Sequence, residues 1–248
     1  MKRLALCILA LAACGGTGSG NGDDGDDSEA PVDARAGGDG AHASDAGHDA
    51  PTSPDASPPS DASTPPPPGA KRVFVTSLRY PADLKSAGGK ASGRESADSI
   101  CQTLADASSL GGTFVAWLST SDMDAIDHVT GPGPWYRIDG VMVFANRAKL
   151  GAIPTVAINV DETMGKPDPY YESWTGTSLG GHHTPPGSRV STTCNDWTTT
   201  VINDSVEGTL GIFGNGFGQD VGRGADWTQY TVGYCAPFAR HLYCFEQQ

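Results

Sequence analysis

Ala97-Asp98-Ser99-Ile100-Cys101, running on to Leu104-Ala105, and then Gly112-Thr113-Phe114-Val115-Ala116-Trp117-Leu118-Ser119, decide how this chain folds. Ala97, Ile100, Cys101, Leu104 and Ala105 recur at helical spacing. That spacing predicts an amphipathic helix from Glu95-Ser96 to a stop at Gly111-Gly112, with Cys101 on its buried face. Thr113 to Leu118 is a short apolar run, which predicts a buried strand. Upstream, the β-branched and aromatic run Val73-Phe74-Val75-Thr76 predicts a first strand. Downstream, Ser121 with Asp122 and Asp124 predicts an N-cap and first turn of a short helix through Val129. Asp127 adds a third acid, yet acids in a first helical turn are explained by the helix dipole more simply than by a calcium cluster. Gly131-Pro132-Gly133-Pro134 then breaks the chain. Strand-like segments follow at Val141 to Phe144, Thr155 to Val160, Glu172 to Thr175, Gly208 to Phe213 and His241 to Phe245. Two helices early and many short strands late predict an α+β domain with a mainly antiparallel sheet and long loops.

The rest of the 248 residues cannot add a second core. Every Phe, Trp and Tyr lies from Phe74 onward, so residues 71 to 248 form the domain, a length suited to one core and short for two. Residues 14 to 70 are dominated by Gly, Ser, Thr, Pro, Ala and Asp, and residues 15 to 70 hold eleven acids against Arg35 alone. Charge repulsion and proline predict an extended, disordered linker, and its recurring Asp-Ala and Asp-Gly pairs are low complexity. Removing linker and signal changes the meaning of the overall charge of −13, because the domain keeps 18 acids and 13 bases, a balance of only −5. With no dense Lys/Arg cluster, nucleic-acid and heparin-type partners are not expected.

Residues 1 to 13 read as an export signal: Lys2 and Arg3, an apolar stretch from Leu4 to Leu11 too short to span a bilayer, then small residues. Leu11-Ala12-Ala13-Cys14 resembles the lipobox of bacterial lipoproteins, which implies that Cys14 becomes the lipidated first residue and the membrane anchor. Gly15, where an inner-membrane retention signal would place aspartate, favours the outer membrane or cell surface of a Gram-negative bacterium. In that oxidising compartment Cys101, Cys194, Cys235 and Cys244 are expected to pair, and their spacing leaves all three connectivities open. No Cys-x-x-Cys pair is present, so a metal site is the weaker reading and no cofactor is expected.

The opening stretch, then Trp174-Thr175-Gly176, Cys194-Asn195-Asp196-Trp197-Thr198 and Leu242-Tyr243-Cys244-Phe245-Glu246, are similar in motif and order to endostatin, the C-terminal module of certain collagens. Over residues 71 to 248 the chain also resembles a family of bacterial lipoprotein domains of unknown function that begin like Val73-Phe74-Val75-Thr76-Ser77. Both resemblances imply a C-type lectin-like fold. The endostatin resemblance further implies nested bridges, Cys101 to Cys244 and Cys194 to Cys235. Its functions carry over less well. Endostatin's zinc ligands are largely N-terminal histidines and Lys71 to Arg79 has none, while its heparin binding rests on arginines and this domain is mildly acidic. The calcium motifs of sugar-binding C-type lectins are not present intact. Lys166-Pro167-Asp168 comes nearest, with a lysine that opposes the ion, and Asn195-Asp196 is in the wrong order relative to Trp197, which favours a turn or cap.

The loop between Trp174 and Cys194 is therefore the expected binding surface, since this fold family presents its recognition loops there and loops on a rigid scaffold make good platforms. Tyr170, Tyr171 and Trp174 are candidates for stacking on a ligand, although tyrosines also roof cores. His182, His183 and Arg189 complete the set. Sequence-adjacent histidines seldom converge on one ion, so a solvated pair is the simpler reading. For catalysis there is no Gly-x-Ser-x-Gly elbow and no His-Glu-x-x-His helix, and Gly214-Asn215-Gly216-Phe217-Gly218 lacks the Lys and Ser/Thr of a phosphate loop. The expectation is a non-enzymatic, lipid-anchored envelope protein presenting a domain that binds a glycan or protein. The alternatives are a structural envelope protein without a specific ligand, or a hydrolase of an envelope polymer using Asp161 and Glu162 with a further acid.

Overall fold

The computed structural model describes residues 66–167, 172–203, 206–213 and 225–248, all within one unit spanning Pro58–Gln248. The signal, Cys14 and nearly all of the linker lie outside the described residues, as do Tyr170, Tyr171, Asp168 and Gly214 to Gly218. No helix among the described residues is long and apolar enough to cross a membrane.

The chain is α+β. Its strands are β1 (Lys71–Val75), β2 (Phe114–Ala116), β3 (Trp135–Arg137), β4 (Met142–Phe144), β5 (Glu172–Trp174), β6 (Glu207–Ile212), β7 (Thr231–Tyr234) and β8 (Tyr243–Glu246). The helices are α1 (Leu84–Gly88), α2 (Gly93–Ala107) and α3 (Ala125–His128). One sheet has the order β2-β8-β1-β3-β4 and is antiparallel except for the β1–β3 pair, and the other, β5-β6-β7, is antiparallel throughout. The last strand thus lies between the first two, pairing Val75 with Tyr243 and Ala116 with Cys244.

Successive residues Val73, Phe74 and Val75 are all fully buried because both faces of the sheet are covered. Phe74 joins the α2 side, with Ile100, Phe114, Trp174 and Trp197; Val73 and Val75 join the other, with Trp117, Trp135, Phe144, Trp227 and Phe245. All five tryptophans are buried, and each indole N–H donates to an acceptor: Trp117 to Thr228 Oγ1 (2.8 Å), Trp135 to Glu246 O (3.0 Å), Trp174 to Tyr80 O (3.0 Å), Trp197 to Ser119 O (2.8 Å) and Trp227 to Ala152 O (3.1 Å). Satisfied in this way, large rings fill a core without stranding a polar atom.

The disulfides are Cys101–Cys244, joining α2 to β8, and Cys194–Cys235, bracing the smaller sheet. Helix α2 starts at Gly93, two residues before the predicted Glu95-Ser96 start, because Ser92 and Glu95 form a reciprocal capping box, and it ends at Ala107, short of the predicted Gly111-Gly112 stop. Its buried Ala97, Ile100, Cys101 and Ala105 are the face the spacing predicts. Three expectations change. The predicted Ser121 cap is not one: α3 begins at Ala125, and the Ser121 N–H and Oγ–H both donate to the Asp196 carboxylate (2.7 and 2.5 Å). The predicted strand at Thr155 to Val160 is irregular, and Arg137 donates to the Ala157 carbonyl (3.2 Å) and to Asn159 Oδ1 (2.6 Å) there. Helix α1, β3 and β7 add elements that short or mixed sequence patterns do not announce.

Candidate binding surface

The surface after β5 is built on Trp174, and the structure corrects the expectation that this ring stacks on a ligand. Trp174 is fully buried, its backbone N–H donates to His241 O (3.0 Å), and its ring packs 5.7 Å from that of Trp197. It anchors the loop from inside.

Beyond it, Thr177 bridges His183, and Ser178 N–H donates to His182 O (2.8 Å), closing a tight turn over 178–182. Asp124, preceding α3, clamps that turn. Its Oδ1 accepts the His183 N–H (2.6 Å) and its Oδ2 meets His182 Nδ1 (2.7 Å). Desolvation would raise the Asp124 pKa, but the His183 amide and the His182 ring outweigh it and hold the carboxyl below its usual value. His183 Nε2 lies 3.5 Å from Thr192 Oγ1, so the adjacent imidazoles serve different partners. His182 is largely exposed. Arg189 pairs with Glu207. Among the described residues no three His, Cys, Asp or Glu side chains converge in a geometry for a metal ion.

The loop's far end is locked by a rare backbone. Cys194, Asn195, Asp196 and Trp197 form one helical turn with φ of 48°, 54°, 54° and 61°, all left-handed. Asn195-Asp196 is thus a turn, and the Asp196 carboxylate also accepts from Thr193 Oγ1 (3.1 Å). The carboxylates named for hydrolysis are spent locally. Asp161 Oδ1 accepts from Thr163 N (2.8 Å), Thr163 Oγ1 (2.7 Å) and Gly165 N (2.9 Å), and Glu162 accepts from Ser77 N (2.9 Å) and Ser77 Oγ.

Among the described residues, two concavities exceed 600 Å³. A shallow groove of about 660 Å³ runs between α2 and β2, past Lys90, Asp98, Gln102 and Phe114. Its polar groups are occupied in sealing the edge strand, since Gln102 Oε1 accepts Phe114 N–H (2.8 Å) and Asp98 Oδ1 accepts Ala116 N–H (2.9 Å) while also meeting His128. The other, of about 630 Å³, lies between Ser77-Leu78-Arg79-Tyr80 and Pro237-Phe238-Ala239. The two segments are stitched at their base by Tyr80 N–H to Arg240 O (2.7 Å) and Arg240 N–H to Tyr80 O (2.9 Å). The Arg240 guanidinium sits 5.1 Å from the Phe238 ring centre and 5.7 Å from that of Trp174, and it pairs with Glu172 at 2.5 Å. Phe238 and Leu78 are 53% and 59% exposed, a concentration of apolar surface at the rim of a concavity. Burial, and then the charge of Glu162, raise the Tyr80 pKa, keeping its hydroxyl protonated as both donor and acceptor.

Sequence reasoning missed this recess. Phe238 after a proline is the available signal, but nothing local ties it to Tyr80, 158 positions away along the chain. The sequence matches no family model and no characterised protein.

Proposed function

We propose that this chain is an envelope lipoprotein, anchored in the outer membrane through Cys14, that presents a ligand-binding domain of C-type lectin-like, endostatin-like fold. The observation that carries the binding reading is the recess between Ser77–Tyr80 and Pro237–Ala239, a concavity of about 630 Å³ with an exposed aromatic ring fixed from behind. That volume lies in the range of small-ligand sites. The fold reading is supported by the motif order, by the two nested disulfides and by a C-terminal strand inserted beside the first. A linker of 56 residues reaching on the order of 40 Å as a flexible coil suits contact with something beyond the anchoring surface.

Metabolic labelling with palmitate tests the anchor: the full chain incorporates label and the Cys14→Ala chain does not. An unlabelled wild type overturns it. Binding is tested by presenting the full chain to a glycan array, with calcium and again with chelator, and to a detergent extract of envelope proteins. A chain that retains nothing in any of these is a structural envelope protein.

A further inference from the structure

We propose that the recess between Ser77–Tyr80 and Pro237–Ala239 is a carbohydrate site that stacks a hexopyranose ring on Phe238 and works without calcium. This rests on the reading of the domain as a binding module and gives that module its ligand class and its site.

The ring is held without being covered. Phe238 keeps 53% of its surface exposed, while the Arg240 guanidinium lies against it at 5.1 Å and is itself fixed by Trp174 and Glu172. An aromatic group positioned in advance loses little freedom when a ligand arrives. The other wall is equally fixed. Glu162 accepts both the N–H and the hydroxyl of Ser77, and Thr76 Oγ1 donates to Leu78 O (2.7 Å). A pyranose offers one face of C–H groups and a rim of hydroxyls, and this lining answers both, with Phe238, Leu78 and Pro237 for the face and the hydroxyls of Tyr80 and Ser77 for the rim.

Size and charge favour this occupant over others. A stable protein partner covers about 800 Å² per side around several buried anchors, whereas seven of the described residues line this recess. The domain's balance of −5 opposes long polyanions. No calcium role follows from the geometry, because none of the described residues lining the recess carries a carboxylate, and Glu162 and Glu172 beside it already serve Ser77 and Arg240.

The test measures binding of the detergent-solubilised full chain to linear hexasaccharides of glucose, N-acetylglucosamine and galactose, by calorimetry and saturation-transfer NMR. Binding of at least one, unchanged by chelator, weakened about tenfold or more by Phe238→Ala and retained by Phe238→Trp, is expected. An unaltered thermal transition in Phe238→Ala shows that the fold is intact. Binding that survives Phe238→Ala but falls in His182→Ala/His183→Ala keeps the module and overturns this site; binding abolished by chelator overturns calcium independence. If no hexasaccharide binds, benzoylphenylalanine at position 238 decides between the two readings in cells: a protein adduct overturns the carbohydrate assignment alone, and no adduct overturns both.

Discussion

Replacing Gly93 with alanine probes the tightest joint in the domain. Gly93 is the first residue of α2 after the Ser92 cap, where alanine is ordinarily the better helix former by up to about 1 kcal/mol. Here a Cβ would lie 2.4 Å from the Asp196 carbonyl oxygen, 2.5 Å from Trp197 Cβ and 2.7 Å from Trp197 O. Backbone cannot swing aside as a side-chain tip does. The left-handed turn above it carries four residues at about 1–2 kcal/mol each, so roughly 4–8 kcal/mol of unfavourable conformation is already held in place. What holds it are the Ser121 and Thr193 bonds to Asp196, the Trp197 indole bond to Ser119 and the Cys194–Cys235 bridge. Overpacking a site of this kind costs about 1–3 kcal/mol, and the helix gain offsets only part of the upper end. Because two of the clashing atoms are backbone, the upper end applies, and the net loss of about 2 kcal/mol lowers Tm by about 4–8 °C in a domain of this size. The assay is thermal unfolding of the oxidised full chain followed by near-ultraviolet circular dichroism, with urea titration to show an unchanged m value. In an Asp196→Ala background, where the turn is already loosened, the same change costs less, a non-additivity expected of residues in contact. A Gly93→Ala chain as stable as wild type would refute the close seating of the turn on α2.

Two further outcomes follow from the bonding. Asp124→Asn frees the 178–182 turn, read as faster amide exchange at His183, and it removes a pH dependence. Because the folded Asp124 pKa is depressed, its contribution is present above the unfolded value near 3.8 and lost as pH falls through the lower folded value, so stability curves of wild type and variant converge in acid. Removing Cys101–Cys244, which spans 143 residues, costs about 5 kcal/mol in urea titration, and removing Cys194–Cys235, which spans 41, costs about 4 kcal/mol in the chain-entropy picture; the reverse order in paired Cys→Ser variants counts against it.

Elements with strong local patterns are legible in the sequence. The buried face of α2 is written in the spacing of Ala97, Ile100, Cys101 and Ala105, and β1 in three consecutive apolar residues. The pairing of the cysteines is not in their spacing and comes from the endostatin resemblance, and the structure contains those two bridges. Asp124 illustrates what local patterns hide. It reads as an acid in the first turn of a helix, but it lies just before α3 and its carboxylate turns to His182 and His183, because two donors waiting there are worth more than the end of a four-residue helix. Trp174 misleads for a related reason. It ends a strand-like segment beside the expected recognition loop, and only the tertiary partners Trp197 and Tyr80 draw the ring inward.

The recess is hidden from local reading because it belongs to the topology. Val75 pairs with Tyr243 in the antiparallel β1–β8 ladder, and continuing outward past the strand ends brings Tyr80 opposite Arg240. The segment that follows the first strand and the one that precedes the last therefore form a single concavity, although 158 positions separate Tyr80 from Phe238. Its shape then depends on β8 staying in place between β1 and β2, which is where the Cys101–Cys244 bridge fastens that strand to α2. Fold closure and the proposed ligand site share one set of contacts, so reducing the outer disulfide should weaken binding at Phe238 before it exposes the five buried tryptophans. Reductant titration followed by both hexasaccharide binding and tryptophan fluorescence separates the two events, and a loss of burial that precedes any loss of binding would break that link.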